Sequence, residues 1–199
     1  MTEEYFGRGN PIYYVVKLLK KIGMSQKIYF VIGANGVGKS AVLSQLRSQL
    51  SEKLFELHDF DERGVPDNAD KVWRMSETDY WVGRGEENKA KGISTVICGF
   101  SKPAEIGSRA EIILLDVDNA TLEKRLRGRY QTEASLKELN RTTGKTVEKF
   151  MMDNIYVSSL LRKACAELGC QIIDTTTLSP EQVADQVVIF IQGDDLSIL

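Results

Sequence analysis

Ile28-Tyr29-Phe30-Val31-Ile32-Gly33-Ala34-Asn35-Gly36-Val37-Gly38-Lys39-Ser40 is the stretch that decides the fold. Its first five residues are an unbroken apolar run, which suits a strand buried on both faces inside a parallel sheet. The next eight fit the spacing G-x-x-x-x-G-K-[ST] at every fixed position. Glycines so spaced let the backbone curl until successive N–H groups point at one anion. Val42, Leu43, Leu46 and Leu50 then recur at helical spacing. The helix they predict begins near Lys39 and brings the positive end of its dipole to the same point. The combination predicts a loop that holds the phosphates of a nucleoside triphosphate, read as ATP with Mg²⁺. Gly33, Ala34, Asn35, Gly36, Val37, Gly38, Lys39, Ser40 and Ala41 form the cradle. Lys39 sets a charge against the β- and γ-phosphates, and the Ser40 hydroxyl is a metal ligand. The bland alternative, a glycine-rich turn that binds nothing, is disfavoured by the full match placed between a buried strand and an amphipathic helix.

Working outward, the chain alternates strands with helices. Ahead of the loop, residues 10–22 read as an extra amphipathic helix, with Asn10 as cap, Pro11 in the first turn, and Ile12, Val15, Val16, Leu19 and Ile22 on one face. Packing on the domain is the first reading of that helix and a membrane-surface role the alternative. Beyond the loop, further strands are expected at Lys53 to Leu57 (ending at Asp59-Phe60-Asp61), Thr95–Cys98, Ile112–Leu115 and Cys170–Ile173. A helix is expected over 69–91, with Val72, Trp73, Tyr80 and Val82 inward. Another runs over about 146–168, on a stripe of Val147, Phe150, Met151, Ile155, Leu161 and Leu168. Ser179-Pro180-Glu181-Gln182 reads as a helix start. The polar segment 130–145 reads as mobile, a lid. Such alternation implies an α/β fold with a five-stranded parallel sheet covered on both faces, three αβα layers, with ligands at the carboxyl ends of the strands.

Polar clusters fall at those strand ends. Asp59 and Asp61 flank Phe60 and would share a face if the strand continued. One carboxylate can hold Mg²⁺, and Asp59 takes that role. The other can anchor or deprotonate an attacking hydroxyl, and Asp61 takes that one. Loop solvation or capping is the alternative. His58, the only histidine, reads as a hydrogen-bonded structural residue. Arg125 and Arg129, at i and i+4, lie on a helix leading into the lid and would neutralise transferring phosphates; a solvated basic face is the alternative. Asp116 and Asp118 raise a rival metal reading, but strand-end and capping roles suit them better.

Composition sets limits. The 199 residues suffice for one domain over 1–199, with 42% hydrophobic and 27% charged residues, as in ordinary globular chains. A net charge of −2 supplies no global field for nucleic acid or an acidic membrane. Cys98, Cys165 and Cys170 lack metal-ligand spacing and read as reduced thiols. With no secretory or bilayer-spanning run, a cytoplasmic location is expected.

The loop, the Asp59-Phe60-Asp61 pattern, the run 114–129 (LLDVDNATLEKRLRGR) and the ending 172–187 (IIDTTTLSPEQVADQV) together resemble the P-loop kinases that include adenylate, shikimate and gluconate kinases. The resemblance implies phosphoryl transfer from ATP to a small-molecule or nucleotide acceptor, with Arg125 and Arg129 touching the nucleotide or its phosphates. It also implies that Thr175 and Thr176 lie near the adenine and that Gly99-Phe100 stands beside the acceptor. Asp59, Asp61, Gly99, Phe100 and Arg74 would then line the acceptor site, with Arg74 for an anion, and Trp73 or Trp81 either stacked on a ring or packed in the core. The Pro-Arg that follows Gly-Phe in adenylate kinases is Ser101-Lys102 here, and the triple glycine of shikimate kinases is absent, so the acceptor stays open. A nucleotide-gated regulatory protein with weak or no kinase activity is the second reading, and a kinase of nucleic-acid ends, disfavoured by the charge, the third.

Overall fold

The computed structural model describes residues 26–67 and 69–193, so the helix expected over 10–22 lies outside the described residues. Five strands form the sheet: β1 (Ile28–Ile32), β2 (Phe55–Asp59), β3 (Ser94–Gly99), β4 (Glu111–Asp116) and β5 (Gln171–Asp174). All pairings are parallel, in the order β2-β3-β1-β4-β5. The helices are α1 (Lys39–Gln49), α2 (Lys71–Lys89), the single turn α3 (Pro103–Ile106), α4 (Asn119–Arg129), α5 (Glu133–Thr143), α6 (Val147–Leu168) and α7 (Pro180–Gly193).

The sheet is the middle of three layers, and β1 shows why its sequence is apolar throughout. Tyr29 and Val31 point into one core with Val42, Leu43 and Leu46 of α1 and Val183, Ala184 and Val187 of α7. Ile28, Phe30 and Ile32 point into the other, with Trp81 and Val82 of α2, Ile106 of α3, and Leu161 and Cys165 of α6. With both faces covered, alternation disappears and every residue of β1 is buried. The expected strands are all present, each within two residues of its expected bounds. The expected caps also form: Asp118 accepts the Thr121 N–H at 2.8 Å at the start of α4. Ser179 and Gln182 cap the start of α7 reciprocally at 2.9 and 3.2 Å.

Two expectations are corrected, the inward face of α2 and the place of Leu168. Segment 130–145 contains α5, opened by a capping box between Thr132 and Ser135 and closed by Gly144 in the left-handed region. Its single buried residue, Leu139, leaves almost no hydrophobic period to read. On α2 the inward face is rotated: Val72 is 72% exposed and Tyr80 43% exposed, while Glu77, Thr78, Trp81 and Val82 are buried. That inward stripe mixes polar and apolar residues, because Glu77 pairs with Arg63 at 3.2 Å and Thr78 meets Ser101 at 2.9 Å. Leu168, at the end of α6, is 59% exposed rather than part of the stripe. Among the described residues no helix is long and apolar enough to cross a membrane, and all three cysteines are free thiols.

Candidate active site

β1 delivers the glycine-rich loop at the centre of the sheet's carboxyl edge. Gly38, which precedes α1, has φ 106°, a left-handed conformation that other residues adopt at a cost. No side chain caps the first turn of α1, and Gly38, Lys39, Ser40 and Ala41 line a cavity there, as an anion site requires. Lys39 folds back over the loop and donates to the Gly33 and Ala34 carbonyls, each at 2.9 Å.

Two braces hold the loop from behind. The Asn35 N–H donates to Asn154 Oδ1 of α6 at 2.9 Å, and Asn154 is itself buried. The Val37 carbonyl accepts from Arg125 Nη1 and from the Thr175 hydroxyl, both at 3.3 Å. Arg125 also donates to the Thr175 hydroxyl at 3.1 Å and to its carbonyl at 2.7 Å. Much of the Arg125 fork is therefore occupied within the protein. Thr175 is buried, and its hydroxyl belongs to this brace; Thr176 Oγ1 accepts the Asp118 N–H at 3.1 Å.

In front of the loop lies a cavity of about 380 Å³ lined, among others, by Lys39, Ser40, Asp59, Asp61, Cys98, Phe100 and Arg129. Gly36, Gly38, Ala41, Gly99 and Arg125 also reach it. The two aspartates meet there through a turn rather than a continued strand: β2 stops at Asp59, and the Asp61 N–H bonds to Asp59 Oδ1 at 2.9 Å. Gly99 is required by packing, since a Cβ there would fall onto the Cβ of Phe60, whose N–H bonds to the Cys98 carbonyl at 2.9 Å.

The electrostatics of the cavity are mixed. Burial lowers the Lys39 ammonium to about 8, against the raising influence of Asp61 and Asp59. Asp61 titrates above the usual carboxylate range, first because it is desolvated and next because of Asp59, while Arg74 and Lys39 pull it down. Burial, then Asp59, pushes the Cys98 thiol up to about 12, so the floor of the cavity is a neutral thiol. The Arg74 guanidinium stands 5.2 Å from the Phe100 ring centre and 5.6 Å from that of Trp73. Arg129 lies 5.6 Å over Tyr130, and its charge is felt at Lys39. Trp81 goes to the core, donating from Nε1 to the Phe60 carbonyl at 3.1 Å. Asp116 is held by Arg162 at 2.6 and 2.9 Å and so is engaged in an ion pair.

Ser40 and Asp59 both present oxygen to one cavity, which fits Mg²⁺, a hard cation that completes its shell with water and phosphate. Among the described residues no cluster of three or more His, Cys, Asp or Glu forms a protein-only cage.

Sequence reasoning missed Asn154 and Cys98 as parts of the site. Asn154 had a signal: with Ser158 it interrupts the apolar stripe of α6, where a polar residue needs a partner.

A shikimate kinase from Acinetobacter baumannii, solved in complex with shikimate, superposes with a TM-score of 0.57 at 15% identity, over 91% of this chain and 99% of its own. The crystal structure of APE1195 superposes at 0.58 and 12% identity, over 86% and 97%. The fold is that of the P-loop kinases. A shikimate kinase from Aquifex aeolicus matches at 0.46 and 15% identity, over 85% and 98%, too loosely to argue from. No family model and no curated relative matches the chain. At identities this low the likeness is one of fold alone.

Proposed function

We propose that the protein is an ATP- and Mg²⁺-dependent kinase that transfers the γ-phosphate to a small-molecule or nucleotide acceptor. The observation that carries this reading is the meeting, in one cavity, of the loop lysine, the Ser40 hydroxyl, two carboxylates and Arg129. A loop alone speaks for nucleotide binding. Carboxylates and a guanidinium facing it supply what phosphoryl transfer needs, an anchor for the attacking hydroxyl and charge to match the transition state.

In this reading the amides of residues 36–41 and Lys39 bind the phosphates. Ser40 and Asp59 hold Mg²⁺, which when bound neutralises phosphate charge and orients the phosphate oxygens. Asp61 anchors the acceptor hydroxyl and takes its proton. Its raised affinity for a proton suits that task. Arg129 faces the transferred group, and Arg125 acts from behind by fixing the loop. The acceptor lies against Phe100 and Arg74, whose guanidinium favours an anionic group on it. Helix α5, framed by Thr132 and Gly144, is the lid.

The test is ADP release from Mg-ATP across a panel of hydroxyl and phosphate acceptors. Acceptor-dependent release above water hydrolysis is expected, with Lys39→Ala lacking both this activity and ATP-induced thermal stabilisation. Release that never exceeds water hydrolysis overturns the kinase reading in favour of a regulatory nucleotide binder. Unchanged stabilisation in Lys39→Ala overturns the loop assignment itself.

A further inference from the structure

The turn that carries the two aspartates is held by a polar chain that phosphate binding does not call for. β2 is an edge strand. Because the Phe60 N–H pairs with Cys98 of β3, the neighbouring Asp59 N–H points to the free side of the sheet. There it donates to Glu62 Oε2 at 3.0 Å. The other Glu62 oxygen lies 2.6 Å from His58 Nδ1, and His58 Nε2 lies 2.7 Å from Glu56 Oε1. Glu56 is held in turn by α2: Arg84 donates to Oε1 at 2.9 and 3.0 Å, and buried Asn88 donates to Oε2 at 2.5 Å. The His58 ring packs 4.5 Å from that of Trp81. Four side chains therefore run from Arg84 through Glu56 and His58 to Glu62 and end on one backbone amide.

We propose that Glu62 and His58 are positioning residues for the acidic turn. They fix the Asp59 backbone, and through Asp59 Oδ1 the Asp61 amide, so that both carboxylates enter the cavity facing Lys39. The consequence for catalysis rests on the kinase reading; the clamp itself does not. Without it the Asp59 amide loses its acceptor on the open edge and the turn keeps only the ties of Phe60 to Trp81 and of Arg63 to Glu77 on α2, whereas the loop and α1 keep all their bonds.

Three variants separate positioning from packing. Glu62→Ala removes the acceptor. Glu62→Gln keeps an oxygen for the Asp59 N–H and offers an N–H to His58. His58→Phe keeps a ring against Trp81 but removes both nitrogens. Two measurements apply to each, residue-resolved amide exchange of Asp59 by NMR and the affinity for mant-ATP with and without Mg²⁺. In Glu62→Ala and His58→Phe the Asp59 amide should exchange faster, and the Mg²⁺-dependent gain in affinity should fall roughly tenfold, as when a partner behind a metal ligand is lost. Mg²⁺-free binding should stay unchanged, and Glu62→Gln should restore both properties. Native Asp59 protection or an undiminished Mg²⁺ effect in Glu62→Ala overturns the proposal. If the wild-type protein shows no Mg²⁺-dependent binding of mant-ATP, the kinase reading falls, and amide exchange alone decides the clamp.

Discussion

Lys39 is charged in a place that penalises charge. Burial brings its ammonium to about 8 in the nucleotide-free protein, whereas phosphate binding needs the protonated form. The folded chain holds this proton less tightly than the unfolded one, so the contribution of Lys39 to stability rises with pH from about 8 towards 10.5. Nucleotide affinity runs the opposite way. Binding of mant-ATP should be tightest below pH 8 and weaken through and above it, with proton uptake on binding in that upper range. A titration series at fixed ionic strength checks this, and an affinity flat to pH 9.5 contradicts it. At Gly99 the prediction is mechanical. Gly99→Ala places a methyl on Phe60, which is fully buried, and should cost about 1–3 kcal/mol by urea unfolding. Gly64→Ala, where a Cβ meets nothing but φ is +94°, separates overpacking from backbone strain.

Elements explain what the sequence could and could not disclose. The strand–loop–helix around Lys39 was legible because anion binding and burial both restrict residue type, so spacing alone identifies it. The acidic turn was legible as a pair of aspartates but not in its geometry, since a carboxylate that bonds to a nearby amide ends the strand where the apolar pattern predicts nothing. Arg125 shows a deeper limit. Its i, i+4 relation to Arg129 suggested two equivalent cations; both reach the cavity, yet Arg125 alone is bound to Val37 and Thr175. Partners 50 and 88 residues away decide that division, and no local pattern encodes them. Arg125→Ala should therefore act on the loop as well as on charge. A loss of about 1–3 kcal/mol in thermal or urea unfolding without nucleotide is expected. Arg125→Lys should recover little of it, because an ammonium cannot reproduce the fork. Full stability in Arg125→Ala would return this residue to a purely phosphate-facing role.

At the scale of the molecule, the strand order separates two jobs that the chain encodes about twenty residues apart. The loop rises from central β1, the aspartates from edge β2, and β3 lies between them. Neighbouring strands stand about 4.8 Å apart, so two steps across the sheet set the bases of the loop and of the acidic turn roughly 10 Å from each other. The sheet thus works as a fixed calliper. Its jaws are backbone, insensitive to rotamer, and the neutral Cys98 thiol occupies the gap. On the kinase reading, the reach an acceptor needs is set by this separation, and side-chain changes at the two strand ends leave it unaltered.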